Sequence, residues 1–242
     1  MLYSVGQVFA VMKAVVMAAG KGTRMLPLSE HTNKVLIPVA GRPFLQHLLT
    51  RLRTAGYDEV GIIVNYKKEL VQRFIDEGGW KATIIDQPEP MGTGDAVRCA
   101  RQFIGNEDFV VLGGDNLWSA ADLQRMRVDD AFNYVMGMKH EHPEHYGVLQ
   151  ADGNYLLRIV EKPQEFVGDL INTGLYKFRP EIFDALDRIK PALKGEYLLT
   201  DAISILAKFH KVKVMPMQDY WLDFGKPEDI QVVDSFLKSH PA

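Results

Sequence analysis

The chain has 242 residues, 47% of them hydrophobic and 24% charged, an ordinary globular balance that excludes disordered, collagen-like and coiled-coil chains. Lys plus Arg number 28 against 31 Asp plus Glu, a net charge of −3, which argues against broad electrostatic binding of nucleic acid or of an anionic membrane. No apolar run reaches the ~18 residues that span a bilayer, and the single cysteine, Cys99, can form neither an internal disulfide nor a thiolate cluster, which fits a cytoplasmic protein.

Residues 1–11 lack the basic start and small-residue cleavage site of a signal peptide. With Met12-Lys13 directly before a strand pattern, they read as an extension or as one added strand. Residues 13–18 (KAVVMA) read as a short buried strand closed by a glycine-rich loop. Pro43 opens a helix in which Phe44, Leu45, Leu48, Leu49 and Leu52 recur at helical spacing, and Gly56 ends it. Strands at 60–64, 82–85 and 109–112 alternate with helices at 67–76 and 95–103. That alternation predicts βαβ units in a mostly parallel sheet with helices on both faces.

The second half changes character. Residues 133–138, 147–150, 156–160 and 172–178 are strand-like, and Asp152-Gly153 signals a hairpin. Helices are expected at 180–189, 200–209 and 227–237, with one more strand at 212–215. The pattern predicts one α/β domain over residues 1–242. Residues 12–130 form its first half, and a β-rich insertion lies within 131–242.

In open parallel sheets ligands sit at the carboxyl ends of the strands. After the first strand come Ala18, Ala19, Gly20, Lys21, Gly22, Thr23 and Arg24. Backbone N–H groups in such a loop can wrap phosphates, with Lys and Arg adding charge. The loop is neither a Walker A sequence nor a GxGxxG fingerprint, since position 25 is Met. Gln87 through Gly94 follow the third strand. The two prolines stiffen this segment, its glycines admit a flat ring, and both amide groups of Gln87 suit a base edge. Asp115 follows the fourth strand and Asp223 lies in a late Trp-Leu-Asp-Phe-Gly segment. Two such carboxylates suit Mg²⁺ against phosphate oxygens. The set fits metal-assisted attack on a nucleotide's α-phosphate by a phosphate oxygen already ionised at neutral pH. That chemistry needs no general base, and no Ser/His/Asp or Cys/His constellation is evident. The histidines of HEHPEH lie in a Pro-broken loop and read as solvated.

These residues, taken together, resemble the sugar-1-phosphate nucleotidylyltransferases, most of all the glucose-1-phosphate thymidylyl- and uridylyltransferases. The resemblance runs from Lys13 to about Leu237. It rests on Ala19 through Met25, Lys34 through Val39, Gln87 through Ala96, Gly114-Asp115-Asn116, Tyr146-Gly147-Val148, Glu161-Lys162-Pro163, Asn172 through Tyr176, and Trp221 through Gly225. It implies a Rossmann-like α/β fold of the nucleotide-diphospho-sugar transferase type. The half at 12–130 would bind nucleotide and the half at 131–242 would bind sugar.

The resemblance also implies roles. Ala18, Ala19, Gly20, Gly22 and Thr23 contact the base and phosphates, and Gln87 and Gly92 read a pyrimidine, with Thr93 beside them. Arg24 and Lys34 bind the triphosphate and the leaving pyrophosphate. Asp115 and Asp223 hold Mg²⁺. Lys162 grips the sugar phosphate, and Gly147, Glu161, Asn172 and Thr173 line the sugar pocket. The implied substrates are UTP or dTTP and a hexose 1-phosphate, glucose 1-phosphate first and N-acetylglucosamine 1-phosphate second. A mannose-1-phosphate guanylyltransferase and a non-catalytic regulatory subunit are the competing readings, and a homo-oligomer stays open. Two departures stand out. Asn33-Lys34-Val35 replaces a proline-flanked Lys, so this loop is expected to be less rigid. Gly113 stands where a larger apolar residue is common, so more backbone freedom is expected there. At 242 residues the chain is expected to lack the β-helix or acetyltransferase domain that some relatives carry.

Overall fold

Strands that are hydrocarbon on both faces have to sit inside a sheet covered on both sides, and three segments here meet that condition. They are β1 (Lys13–Met17), β4 (Val60–Val64) and β6 (Phe109–Gly113), whose central residues are buried. The computed structural model describes residues 12–192 and 195–240. The reading of 1–11 as an extension or added strand lies outside those residues. A small ribbon, β2 (Pro38–Val39) with β3 (Arg42–Pro43), precedes α1 (Phe44–Thr54). Then come α2 (Lys68–Glu77), β5 (Ala82–Asp86), α3 (Thr93–Cys99) and α4 (Arg101–Ile104). The helix expected at 95–103 is thus two segments meeting at Ala100, whose N–H bonds Val97 O.

After β6 the chain forms β7 (Asn116–Trp118) and α5 (Ala120–Arg125). Next are β8 (Asn133–Lys139), β9 (Gly147–Asp152), β10 (Tyr155–Glu161) and β11 (Leu170–Phe178). The chain continues through α6 (Ile182–Leu186), α7 (Leu199–Ala207), β12 (Val212–Pro216), β13 (Trp221–Asp223) and α8 (Glu228–Ser239).

Nine strands form one sheet in the order β5-β4-β1-β6-β11-β8-β12-β10-β9. The first four are parallel, as expected. The expected α/β sheet with flanking helices is present, and beyond β6 the sheet becomes mixed. β11 pairs antiparallel with β6 over Leu175–Phe178, and only β12 and β8 pair parallel in that half. The β-rich part therefore extends the same sheet, because β11 supplies the ladder partner that the open edge of β6 needs. Alternation along β1 sends Ala14 and Val16 to one core, shared with α1, and Val15 to the other, shared with α3 and α7. No helix among the described residues is long and apolar enough to cross a membrane.

Candidate active site

The loop after β1 is held down by Asn33. This buried side chain donates from Nδ2 to Ala18 O (3.3 Å) and Tyr66 O (2.7 Å), and its Oδ1 accepts from Val35 N (3.1 Å). The last bond caps the short turn Lys34–Leu36 that carries Lys34. The expected looseness is therefore corrected: three bonds from Asn33 take the place of flanking prolines. Ser29 Oγ closes the other end of the loop on Gly22 O at 2.7 Å.

Lys34 is almost wholly buried and is paired with a carboxylate. Its Nζ lies 2.7 Å from Asp115 Oδ2. Asp115 Oδ1 accepts from Asn116 Nδ2 at 2.9 Å, and Asn116 Oδ1 accepts from Trp221 Nε1 at 2.8 Å. Gly113 leaves room for this arrangement, since a Cβ there would lie 2.9 Å from Asn116 Nδ2 and 3.0 Å from Asp115 Oδ1. Its role is space, not the backbone freedom expected of it. β13 pairs with β7 so that Asp223 faces Asn116. Phe224 N donates to Asp115 O at 2.8 Å, and the Phe224 ring stacks on Phe44 at 4.4 Å, buried. Burying that ring contributes about 1.5–3 kcal/mol and fixes the residue beside Asp223.

Asp223 is thereby brought to Asp115. Its carboxyl is pushed up from the ordinary 3.8 to about 6, first by burial, then by the charges of Asp115 and Asp229; Lys34 and Arg24 oppose the shift. Arg24 Nη1 and Asp223 Oδ2 flank Gly225, at 3.6 and 3.3 Å from where its Cβ would stand. A carboxylate whose proton affinity is raised by a second carboxylate, with cations beside the pair, fits a site for a divalent cation that also takes phosphate oxygens. They do not make an all-protein cage: among the described residues no group of three or more His, Cys, Asp or Glu could hold a metal.

A cleft of about 590 Å³ opens beside this cluster. Ala18, Ala19, Gly20, Lys34, Gln87, Gly92, Thr93 and Asp115 line it, as does Lys21 of the glycine loop, together with Asn33, Glu196 and Leu198, which the sequence reading left out of the site. The lining includes neither Gly22 nor Thr23. Gly22 adopts φ +65° and backs onto the Lys34 side chain. Gln87 is buried, and its Nε2 donates to Asp95 Oδ2 at 2.8 Å and to Gly92 O at 3.3 Å. The expectation that both amide groups face a base is therefore corrected, because the donor end is already spent on two acceptors. Gly92 has φ +98°, and a Cβ there would come within 2.6 Å of Tyr197 O. Gly92→Ala is expected to destabilise the protein by about 2–3 kcal/mol and to weaken nucleotide binding, checked by thermal unfolding and by titration.

Gly147, Glu161, Lys162 and Asn172 gather at the ends of β9, β10 and β11. A Cβ on Gly147 would touch Glu161 Oε1 at 3.2 Å. Partial withdrawal from water raises the Glu161 carboxyl; a Thr200 hydrogen bond and Lys162 oppose this, and Asp201 reinforces it. Lys162 has φ +42° and donates its N–H to Tyr146 O at 3.0 Å. Tyr146 sits edge-on to Trp221 at 5.6 Å, which ties this group to the Asp223 strand. Asn172 is engaged at both ends, donating to Tyr176 Oη and accepting from Gly174 N. Thr173 does not join the group. Its buried hydroxyl donates to Met136 O at 3.1 Å and accepts from Trp118 Nε1, because alternation along β11 turns it to the opposite face. His142 and His145 are exposed beside Glu144.

Residues 13–240 match the family model described as nucleotidyl transferase. The chain is 36% identical over 228 residues to the bifunctional protein GlmU of Methanocaldococcus jannaschii, covering 93% of this chain and 54% of that protein. It is 35% identical over 222 residues to a bifunctional sugar-1-phosphate nucleotidylyltransferase/acetyltransferase of Sulfurisphaera tokodaii, covering 90% and 54%. It thus spans about half the length of these curated relatives. Among solved structures, a Bacillus anthracis protein described as a glucose-1-phosphate thymidylyltransferase superposes with a TM-score of 0.85 at 26% identity, covering 96% of this chain and 97% of that one.

Proposed function

The chain belongs to the nucleotidyl transferase family, and on that premise we propose that it joins a nucleoside triphosphate to a sugar 1-phosphate with release of pyrophosphate. The observation that carries this reading is the cluster Lys34–Asp115–Asp223–Arg24 at the carboxyl ends of β1 and β6, beside a cleft that Gln87 also lines. UTP or dTTP is the proposed nucleotide. Glucose 1-phosphate is the first sugar, in keeping with the thymidylyltransferase neighbour, and N-acetylglucosamine 1-phosphate the second.

In the proposed reaction a phosphate oxygen of the sugar 1-phosphate attacks the α-phosphorus. The bond from that phosphorus to the β-phosphate oxygen breaks, and pyrophosphate leaves with the electron pair. The nucleophile is already an anion, so no side chain has to remove a proton. Asp115 and Asp223 would hold Mg²⁺, which supplies neutralisation of charge on the phosphate oxygens when bound. Lys34 and Arg24 then neutralise the leaving pyrophosphate. Lys34 is bonded to Asp115 in the free protein and would exchange that partner for a phosphate. Lys162, a compact charge on a flexible stem, receives the sugar phosphate. Lys162→Ala is expected to raise KM for the sugar phosphate about 10-fold or more, leaving KM for the nucleotide little changed. Steady-state kinetics with each substrate varied checks it.

The test is pyrophosphate release with Mg²⁺ across five nucleoside triphosphates and four sugar 1-phosphates. Activity confined to UTP or dTTP supports the reading. Activity with GTP and mannose 1-phosphate keeps the reaction but removes the pyrimidine assignment, and silence from folded protein favours the regulatory-subunit reading.

A further inference from the structure

Gln87 has one side-chain amide and two opposite hydrogen-bonding ends, so which end faces the cleft decides what kind of base edge it can read. The fold leaves no choice. Nε2 is held by Asp95 Oδ2 and by Gly92 O, and both of those atoms are acceptors. Turning the amide over would set Oε1 against a carboxylate and a carbonyl and lose both hydrogen bonds. Among the described residues Oε1 has no hydrogen-bond partner, and it is not among the buried side-chain atoms lacking one. It is the end of Gln87 left to a ligand.

Asp95 is itself fixed. It stands in the first turn of α3, where the helix N-terminus favours a negative side chain. Its Oδ1 lies 3.4 Å from Arg98 Nη1, and Arg98 is in turn seated over the Tyr197 ring at 4.9 Å. The start of α3 is pinned by backbone bonds, Gly94 N to Tyr197 O (2.8 Å) and Tyr197 N to Met91 O (2.7 Å). The carboxylate therefore cannot follow Gln87 into another orientation without breaking these contacts.

We infer that Asp95 is a positioning residue that sets base selectivity: by holding Gln87 with Oε1 toward the cleft, it makes the site accept a base edge that presents a ring N–H and reject one that presents a bare ring nitrogen. The inference rests on the nucleotide reading above. Uracil and thymine carry a donor at N3, whereas cytosine has an acceptor at the same position. Uridine and thymidine triphosphates are thus favoured over cytidine triphosphate by the direction of one amide. A site built around a directed hydrogen bond rejects the mismatched partner strongly, because the mismatch leaves buried polar atoms facing like atoms.

The experiment is calorimetric titration of the full chain with UTP and with CTP, in the wild type and in Asp95→Asn. The near-isosteric asparagine can turn its own donor toward Gln87, so only the longer bond to Gly92 O, at 3.3 Å, still favours one orientation. Asp95→Ala serves as a second variant that removes the acceptor altogether. The wild type is expected to bind UTP at least about 10-fold more tightly than CTP. In both variants the ratio is expected to contract to about 3 or less, with CTP binding gained or held while UTP binding falls. Parallel weakening of both nucleotides, with the ratio unchanged, would give Asp95 a merely structural role and overturn the inference. A wild type without preference between UTP and CTP would overturn it too, leaving the pyrimidine reading intact. A wild type that binds neither pyrimidine nucleotide but binds GTP overturns the nucleotide reading and this inference with it.

Discussion

Replacing Asp223 with asparagine is expected to cut turnover by about 100-fold or more while making the protein more stable above pH 7. The two effects share one cause. Burial and the charges of Asp115 and Asp229 raise the Asp223 carboxyl from 3.8 to about 6. Between those values the folded chain holds a proton that the unfolded chain has released, so stability falls as pH rises through the window. Above about pH 6 the whole penalty stands. A shift of this size corresponds to roughly 3 kcal/mol, and the partial water access of Asp223 reduces it to about 1–2 kcal/mol. Asparagine removes the charge and with it the penalty. Melting temperatures of the two proteins are expected to separate as pH rises from 5 to 8, the variant being higher. Equal melting temperatures at pH 8, or full turnover in the variant, contradict the assignment. The wild type should also lose activity as pH falls below about 6 at limiting Mg²⁺, since protonated Asp223 is no ligand.

The second large effect is expected from a residue that touches no substrate in this account. Asn33→Ala removes three hydrogen bonds and leaves Val35 N, Ala18 O and Tyr66 O without their present partner. Losing them is expected to cost about 2–4 kcal/mol of stability. The turn that carries Lys34 loses its cap, and a misplacement near 1 Å at a reacting centre costs about 100-fold in rate. Chemical denaturation and steady-state kinetics on one preparation check both parts. Asn33→Asp retains the acceptor for Val35 N and is expected to recover part of the loss. Full activity and stability in Asn33→Ala would remove Asn33 from the frame.

Much of this arrangement was legible because it is local. The hydrocarbon of β1, β4 and β6, the helical spacing after Pro43, and the glycine loop are contained within a few residues each. α5 carried a readable signal too: Ser119 accepts from Asp122 N at its start, a Ser-x-x-Asp pattern that the reading passed over. What could not be read is pairing at long range. β13 meets β7 across more than a hundred residues, and only that pairing brings Asp223 to Asp115. The two carboxylates were named from their motifs, but their coupling, and the raised carboxyl that follows, belong to the fold. Gln87 shows the same limit at shorter range. Its amide looked free in the sequence, and only the start of α3 shows that one end is committed to Asp95. Thr173 and Asn172 adjoin in a motif, yet β11 turns them to opposite faces, so a contiguous string of family residues overstated the pocket.

Nucleotidyl transfer itself is tested most directly by ³¹P NMR of the full chain with UTP, glucose 1-phosphate and Mg²⁺, repeated with N-acetylglucosamine 1-phosphate and with dTTP. One of these mixtures is expected to give the paired resonances of a nucleotide-sugar diphosphate and an equal amount of pyrophosphate, with the sugar phosphate signal falling in step. Orthophosphate or nucleoside monophosphate in place of the sugar diphosphate, or unchanged spectra from folded protein in every mixture, would contradict it.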